Sequence, residues 1–327
     1  MTARHSTTIG DRLEIDMRNE EILSRPRLYV SLAFAIAVSG CAGAAYEDRT
    51  QYASPELATK ALVTALREED DAKLRMVLGP KADYVLFSGD AVADRNRIQT
   101  FLDAYAERHE LDRESEESFV LVVGDQKWPM PIPLVRDDEG WVFATEEGAD
   151  EMLSRRIGQN ELDAVQVLLA ISDAQREYAQ RDPDANGLPD YAPKLISDTG
   201  KKNGLYWGDK EGEARSPIGR LLATASSEGY VRSGAGEPMP FHGYYYRLLE
   251  GQGPNAKGGM HDYVVNGYLL GGFGIVAWPA SVGNSGVMTF IVNQDGNVYQ
   301  KYLGPRTDEI ARKMTRFDPD KSWRVVK

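Results

Sequence analysis

Hydrophobic positions take a helical period early in the chain. Ser54-Pro55-Glu56 supplies an N-cap, a proline at the first helical position and an acid in the first turn. Leu57, Ala61, Leu62, Ala65 and Leu66 then recur on one face as far as Arg67, which predicts a helix. Asp70 or Asp71 caps a second short helix, closed by Gly79-Pro80. A third helix over 91–109 turns Ile98, Phe101, Leu102 and Tyr105 inward. The pattern then changes to strand-like runs at 119–123, 132–135 and 141–144, separated by turns at Gly124-Asp125 and between Asp137 and Gly140. Trp128 and Trp141 are expected in the core of this hairpin system.

Helical periodicity returns over 148–158 and again over 160–180, with Asn160 as the N-cap of the second stretch and Leu162, Val165, Leu169 and Tyr178 on its apolar face. From Asp182 onward glycine, proline, asparagine and aromatics rise, and the strand signals become short: 244–248, 263–265, 274–277, 288–292 and 298–302. Asp295-Gly296 is a hairpin turn between two of them. The expected class is α+β. Its parts are a helix-plus-curved-sheet domain over 54–147 that is similar to cystatin and NTF2-like domains, linking helices over 148–181, and a C-terminal Gly/aromatic-rich antiparallel β domain over 182–327.

Residues 28–40 form an uncharged apolar run led by Arg25 and Arg27. About 20 residues are needed to cross a bilayer as a helix, so this run fits a secretory signal better than a membrane span. It ends Val38-Ser39-Gly40-Cys41, which resembles the lipobox of bacterial lipoproteins, with Cys41 as the lipidated residue. The expected organisation is therefore a signal peptide over 1–40, with Met17 as an alternative start, and a lipidated tether over 41–53. Ala42 rather than Asp after the cysteine favours the outer membrane, on the periplasmic face of the envelope.

Composition narrows the chemistry. The 327 residues carry 38 Lys plus Arg against 50 Asp plus Glu, a net charge of −12, and one cysteine. No basic face is available for nucleic acid, and neither an internal disulfide nor a cysteine-based zinc cluster can form. No phosphate-binding loop or dinucleotide fingerprint occurs.

Asp182, Asp184, Asn186 and Asp190, with Gly187 in the sharp turn, match the start of a calcium loop, although Pro193 stands where the bidentate Glu would be. The same spacing suits an Asx-rich turn between helix and strand. Calcium, if held, would be structural. Phe241, Tyr244, Tyr245 and Tyr246, with Tyr206 and Trp207, offer either a stacking platform for a ligand or partner, or core. Alternation puts Tyr244 and Tyr246 on one strand face and Tyr245 on the other. His242 and His261 complete this candidate surface. A hydrolytic reading uses the concave sheet face or the His242/His261 region, pairing His261 with Asp262 and taking Ser285 as nucleophile. The glycine-rich stretch 251–259 reads equally as a functional loop or a hairpin turn.

Several segments carry a family resemblance. They are Gln175-Arg176-Glu177-Tyr178, Gly204-Leu205-Tyr206-Trp207, Phe241-His242-Gly243-Tyr244-Tyr245-Tyr246-Arg247, Gly253-Pro254-Asn255-Ala256, Ala277-Trp278-Pro279-Ala280, and the run from Gly286 to Asn293. Together they resemble the domain-of-unknown-function family 2950, a group of exported bacterial proteins, over roughly 54–323. The C-terminal strands are also similar to the heads of type IV pilin-like and pseudopilin proteins. The resemblance implies an envelope location and brings no activity with it. The function expected is a non-catalytic envelope interaction or scaffold module with another envelope protein as partner; the alternative is an envelope hydrolase or ligand-binding protein.

Overall fold

Four helices open the described residues: α1 (Pro55–Arg67), α2 (Asp71–Leu78), α3 (Ala82–Leu86) and α4 (Ala91–Glu107). The computed structural model describes residues 49–208, 215–230 and 239–326. The expected signal peptide, the alternative start at Met17, the expected lipidation site Cys41 and most of the expected tether lie outside the described residues. Ser54 caps α1 as expected, its hydroxyl accepting Leu57 N–H, and Asp70 caps α2 by accepting Lys73 N–H. The buried face of α1 joins Leu74, Val77 and Leu78 of α2 in one core.

Against these helices lies an antiparallel sheet of β1 (His109–Arg113), β2 (Ser118–Val123), β3 (Trp128–Pro129), β4 (Leu134–Arg136) and β5 (Trp141–Phe143). Its order is β1-β2-β4-β5, with β3 on β2. Leu121, Ile132, Leu134 and Phe143 close the core from the sheet side. Of the two tryptophans expected in the hairpin core, Trp141 is buried and meets Phe119 edge-on at 5.3 Å. Trp128 is instead exposed, with Arg155 over its ring.

The expected break at Asn160 is absent. α5 (Thr145–Arg181) is a single helix of 37 residues, about 55 Å long at 1.5 Å per residue. Gly158 faces open space and does not interrupt it. Asn160 is buried mid-helix with its side chain turned sideways into a polar network rather than back onto a helix end. Ala149 of α5 packs in the first core, whereas Ala164, Val167, Leu168, Ile171, Ala174 and Tyr178 pack in a second.

Beyond α6 (Gly219–Ser227) the chain becomes β-rich. β6 (Tyr244–Leu249), β7 (Gly251–Gln252), β8 (His261–Asp262), β9 (Val264–Val265), β10 (Tyr268–Leu269), β11 (Gly274–Pro279), β12 (Thr289–Asn293) and β13 (Tyr299–Lys301) precede α7 (Thr307–Lys313), β14 (Arg316–Phe317) and β15 (Arg324–Val325). The main sheet runs β15-β13-β12-β11-β6. β11 is buried at every residue, and its alternation explains why. Ile275 and Ala277 face α5 in the second core, while Val276 and Trp278 face Ala311 and Phe317 in a third. The architecture is α+β throughout.

Candidate functional site

Gly243 and His242 sit at the turn into β6, where the helical half, α5 and the β-rich half meet in hydrogen bonds. His242 has a φ of +51°, a left-handed backbone for a non-glycine residue. Gly243 follows at +75°, and a side chain there would lie 2.5 Å from the Asn160 amide nitrogen. The close approach delivers Gly243 N–H to Asp90 Oδ2 at 2.9 Å. Asp90, buried at the start of α4, also caps that helix through Val92 and Ala93 N–H and accepts the Tyr230 hydroxyl at 2.9 Å.

The His242 ring is held on both nitrogens. Nδ1 meets Asp163 Oδ2 of α5 at 3.0 Å, and Nε2 meets Glu228 Oε2, just after α6, at 2.9 Å. Tyr230 lies nearly parallel to the ring at 6.1 Å. Burial would lower the imidazole pKa, but hydrogen bonds to Asp163 and Glu228 outweigh it and hold the pKa above its ordinary value. A neutral imidazole has one N–H; only the imidazolium donates to both carboxylates. His242 thus fastens α6 to α5, and no ring nitrogen remains to act as a general base. Burial, and then the neighbouring Asp90, push the Tyr230 hydroxyl pKa up, so it stays a neutral donor.

Below this fastener runs a second layer of polar contacts. Asp94 accepts Ser88 N–H and Arg97, and Arg97 also reaches Asn160 Oδ1. Asn160 donates to Ser285 O at 2.8 Å. Arg156 donates to the carbonyls of Tyr84, Val85 and Asn284 and to Asn284 Oδ1. Burial pulls its pKa down to about 10, helped by Arg97. Glu161 accepts the N–H groups of Val287 and Met288, both at 2.9 Å.

The His242 fastener makes stability pH-dependent with a definite sign. Its folded pKa lies above the unfolded value near 6.5, so its contribution is complete below about pH 6.5 and is lost as pH rises through the folded pKa. Melting temperature measured from pH 5.5 to 8.5 should fall through that window, and His242→Gln should remove this component of the fall. An identical profile in the variant would refute the assignment.

The other expected site residues are dispersed. Tyr244 is fully buried, donates to Met288 O at 3.0 Å and packs near Phe290 in the second core. Tyr246, Tyr206 and Trp207 belong to the same core, so the aromatic cluster is interior packing rather than a platform. Tyr245 lies on the opposite face beside Trp278. His261 is exposed, with Nε2 at 3.1 Å from Gly271 O. Asp262 is paired with Arg316, and the Ser285 hydroxyl is engaged with both backbone groups of Ser281. His261, Asp262 and Ser285 therefore each have a different partner and form no triad.

In the 182–190 loop, Asp182 accepts the N–H groups of Asn186 and Gly187. The Asn186 amide nitrogen bridges Asp184 Oδ2 at 3.0 Å and Asp190 Oδ1 at 3.1 Å. The turn is closed by its own hydrogen bonds. Among the described residues no group of three or more His, Cys, Asp or Glu is arranged to hold a metal ion. The 251–259 stretch is likewise an ordered turn: Gln252 donates to the carbonyls of Lys257 and Gly259, and Asp318 accepts from Asn255.

Sequence reasoning missed Asp90, Asp163, Glu228 and Tyr230, which a local pattern could not join to His242. One exposed feature also stands out. Val264, Val265, Tyr268 and Leu270 of the β9–β10 hairpin are exposed together, with Met260 nearby in sequence. A family model described as Protein of unknown function (DUF2950) matches residues 49–326. No curated protein and no solved structure matches the chain. With nearly the whole described body matched, the chain belongs to the DUF2950 family.

Proposed function

We propose that the chain is an exported lipoprotein, anchored through Cys41 on the periplasmic face of the envelope, where it serves as a non-catalytic module that binds another envelope protein. The observation that carries the interaction reading is the β9–β10 hairpin. Val264 and Val265 are neighbours on one strand and point to opposite faces, yet both are more than 40% exposed, at 44% and 43%. The hairpin thus offers apolar surface on both sides, and such clusters mark interaction sites. Between Met260 and Gly274 there is no Lys or Arg. An element that lies on anionic lipid carries such cations, so a protein partner fits better. The occupied nitrogens of His242 and the separate partners of His261 and Ser285 favour binding over hydrolysis. The lipobox supports the anchor. Calcium has no required part, because Asn186 already bridges the loop carboxylates.

The test is a photo-crosslinking amino acid placed at Tyr268 in cells, with Trp128 as a surface control. A discrete envelope-fraction adduct of defined mass is expected at Tyr268 alone, lost in Val264→Asp/Val265→Asp with the melting temperature unchanged. Lipid labelling should disappear in Cys41→Ser. An adduct common to both positions, or none, refutes the interaction surface; persistent labelling in Cys41→Ser refutes the anchor.

A further inference from the structure

A cleft of about 400 Å³ opens at the end of β11, away from the hairpin. Its size falls in the range of small-ligand sites, roughly 300–1,000 Å³. Pro279, Ala280, Val282 and Pro305 form apolar walls, Tyr302 and Asp308 the rest. The walls are already ordered. Ala280 N–H donates to Gly243 O, Ser281 N–H to the Ser285 hydroxyl, and Gly283 N–H to Gly286 O at 2.8 Å. A ligand entering here would meet little cost in loop ordering.

Two side chains give the cleft its chemistry. Tyr302 is 51% exposed and makes no hydrogen bond or ring contact within the described residues, so one aromatic face is available. Asp308 is fixed from behind. Its carboxylate accepts Trp278 Nε1–H at 2.9 Å and Arg312 Nε–H at 2.8 Å on each oxygen. Arg312 is itself spread over the rings of Tyr245 and Trp278, at 5.5 and 6.0 Å. The carboxylate charge is thereby countered within the protein, and a second cation gains little from it. Its remaining lone pairs can still accept hydroxyl hydrogens.

A ring with an apolar C–H face and equatorial hydroxyls satisfies both groups at once: the face lies on Tyr302 and the proline walls, and the hydroxyls reach Asp308. We infer that this cleft is a carbohydrate-binding subsite for a neutral pyranose of an oligosaccharide, with Tyr302 as the stacking residue and Asp308 as the hydroxyl acceptor. The subsite is independent of the partner-binding hairpin.

The test uses cellotetraose, maltotetraose and the β-1,4-linked N-acetylglucosamine tetramer as probes, titrated into the folded chain and followed by nuclear magnetic resonance shifts of Val282, Gly283 and Tyr302. At least one saccharide should shift these signals saturably. Tyr302→Ala and Asp308→Asn should each weaken that binding by about tenfold or more. Val264→Asp, on the hairpin, should leave it unchanged, which separates failure of this subsite from failure of the interaction surface. Should Asp308→Asn not fold, Tyr302→Ala decides alone, since Tyr302 is half exposed and makes no hydrogen bond or ring contact within the described residues. No saturable response to any of the three saccharides, or unaltered affinity in Tyr302→Ala, overturns the assignment. So does a response at the cleft to an alkylammonium ion or a proline-rich peptide alone.

Discussion

Arg156→Met should cost about 3 kcal/mol or more of unfolding free energy, the largest loss expected from any single side chain outside the apolar cores. The guanidinium sits in the first third of α5, on a largely buried side chain, and serves three backbone carbonyls plus the Asn284 side chain. Methionine keeps much of the volume and none of the donors. The Val85 carbonyl would then lose its charged donor in a buried setting and those of Tyr84 and Asn284 in a half-buried one, at up to about 1–3 kcal/mol for each acceptor left unsatisfied. Domains of ordinary stability have only about 5–15 kcal/mol in total. Denaturant titration should show the midpoint falling sharply. A loss below about 1 kcal/mol would mean that water takes over the donor role.

Asp90→Ala should be nearly as damaging, by about 2–4 kcal/mol, for a composite reason. It removes the N-cap of α4, worth about 0.5–2 kcal/mol. It also strips the partner from Gly243 N–H, a buried donor, and from the Tyr230 hydroxyl. Asp90→Asn is the informative companion. Its side-chain oxygen can still cap α4, but it brings a neutral amide to a place where the carboxylate accepts four hydrogens. The expected order of stability is Asp, then Asn, then Ala. Equal stability for Asp and Ala would show that the contact with the β-rich half adds nothing. Because Asp90 and Arg156 belong to one junction, their double variant should lose less than the sum of the two singles.

Much of the scaffold was legible in the sequence wherever one element carried its own signal. Ser54-Pro55 marked the start of α1, and Asp295-Gly296 marked a turn, with Gly296 at φ +78° and its N–H on Asn293 O. The strand signals at 274–277 and 288–292 fell on β11 and β12, whose burial at every residue the structure adds. The helix expected over 91–109 ends instead at Glu107, and β1 went unread because an edge strand, open to water, needs no apolar alternation. Asn160 read as a cap because a polar residue after Gly158 is a stop signal only if its side chain has no better partner, and here Ser285 O supplied one. The junction itself was illegible for the same reason. Asp90 lies 153 positions from Gly243, and Asp163 lies 79 from His242; each alone looks like an ordinary surface acid. The aromatic cluster shows the converse: its strand periodicity was visible, and its burial follows from the helix that covers it.

The continuity of α5 has a consequence for assembly in time. Its first turns complete the core made by α1–α4 and β1–β5, so that half has its full set of core residues once the chain up to about 152 is free to fold. The polar side of the same helix then waits, with Arg156 already on the Tyr84 and Val85 carbonyls but Asn160, Glu161 and Asp163 still hydrated on the side that faces their later partners, which lie between 242 and 288. Water serves as the placeholder partner until the last strands arrive. Expulsion of that water is therefore a late event, and the seam between the halves is set by chain order as much as by strength.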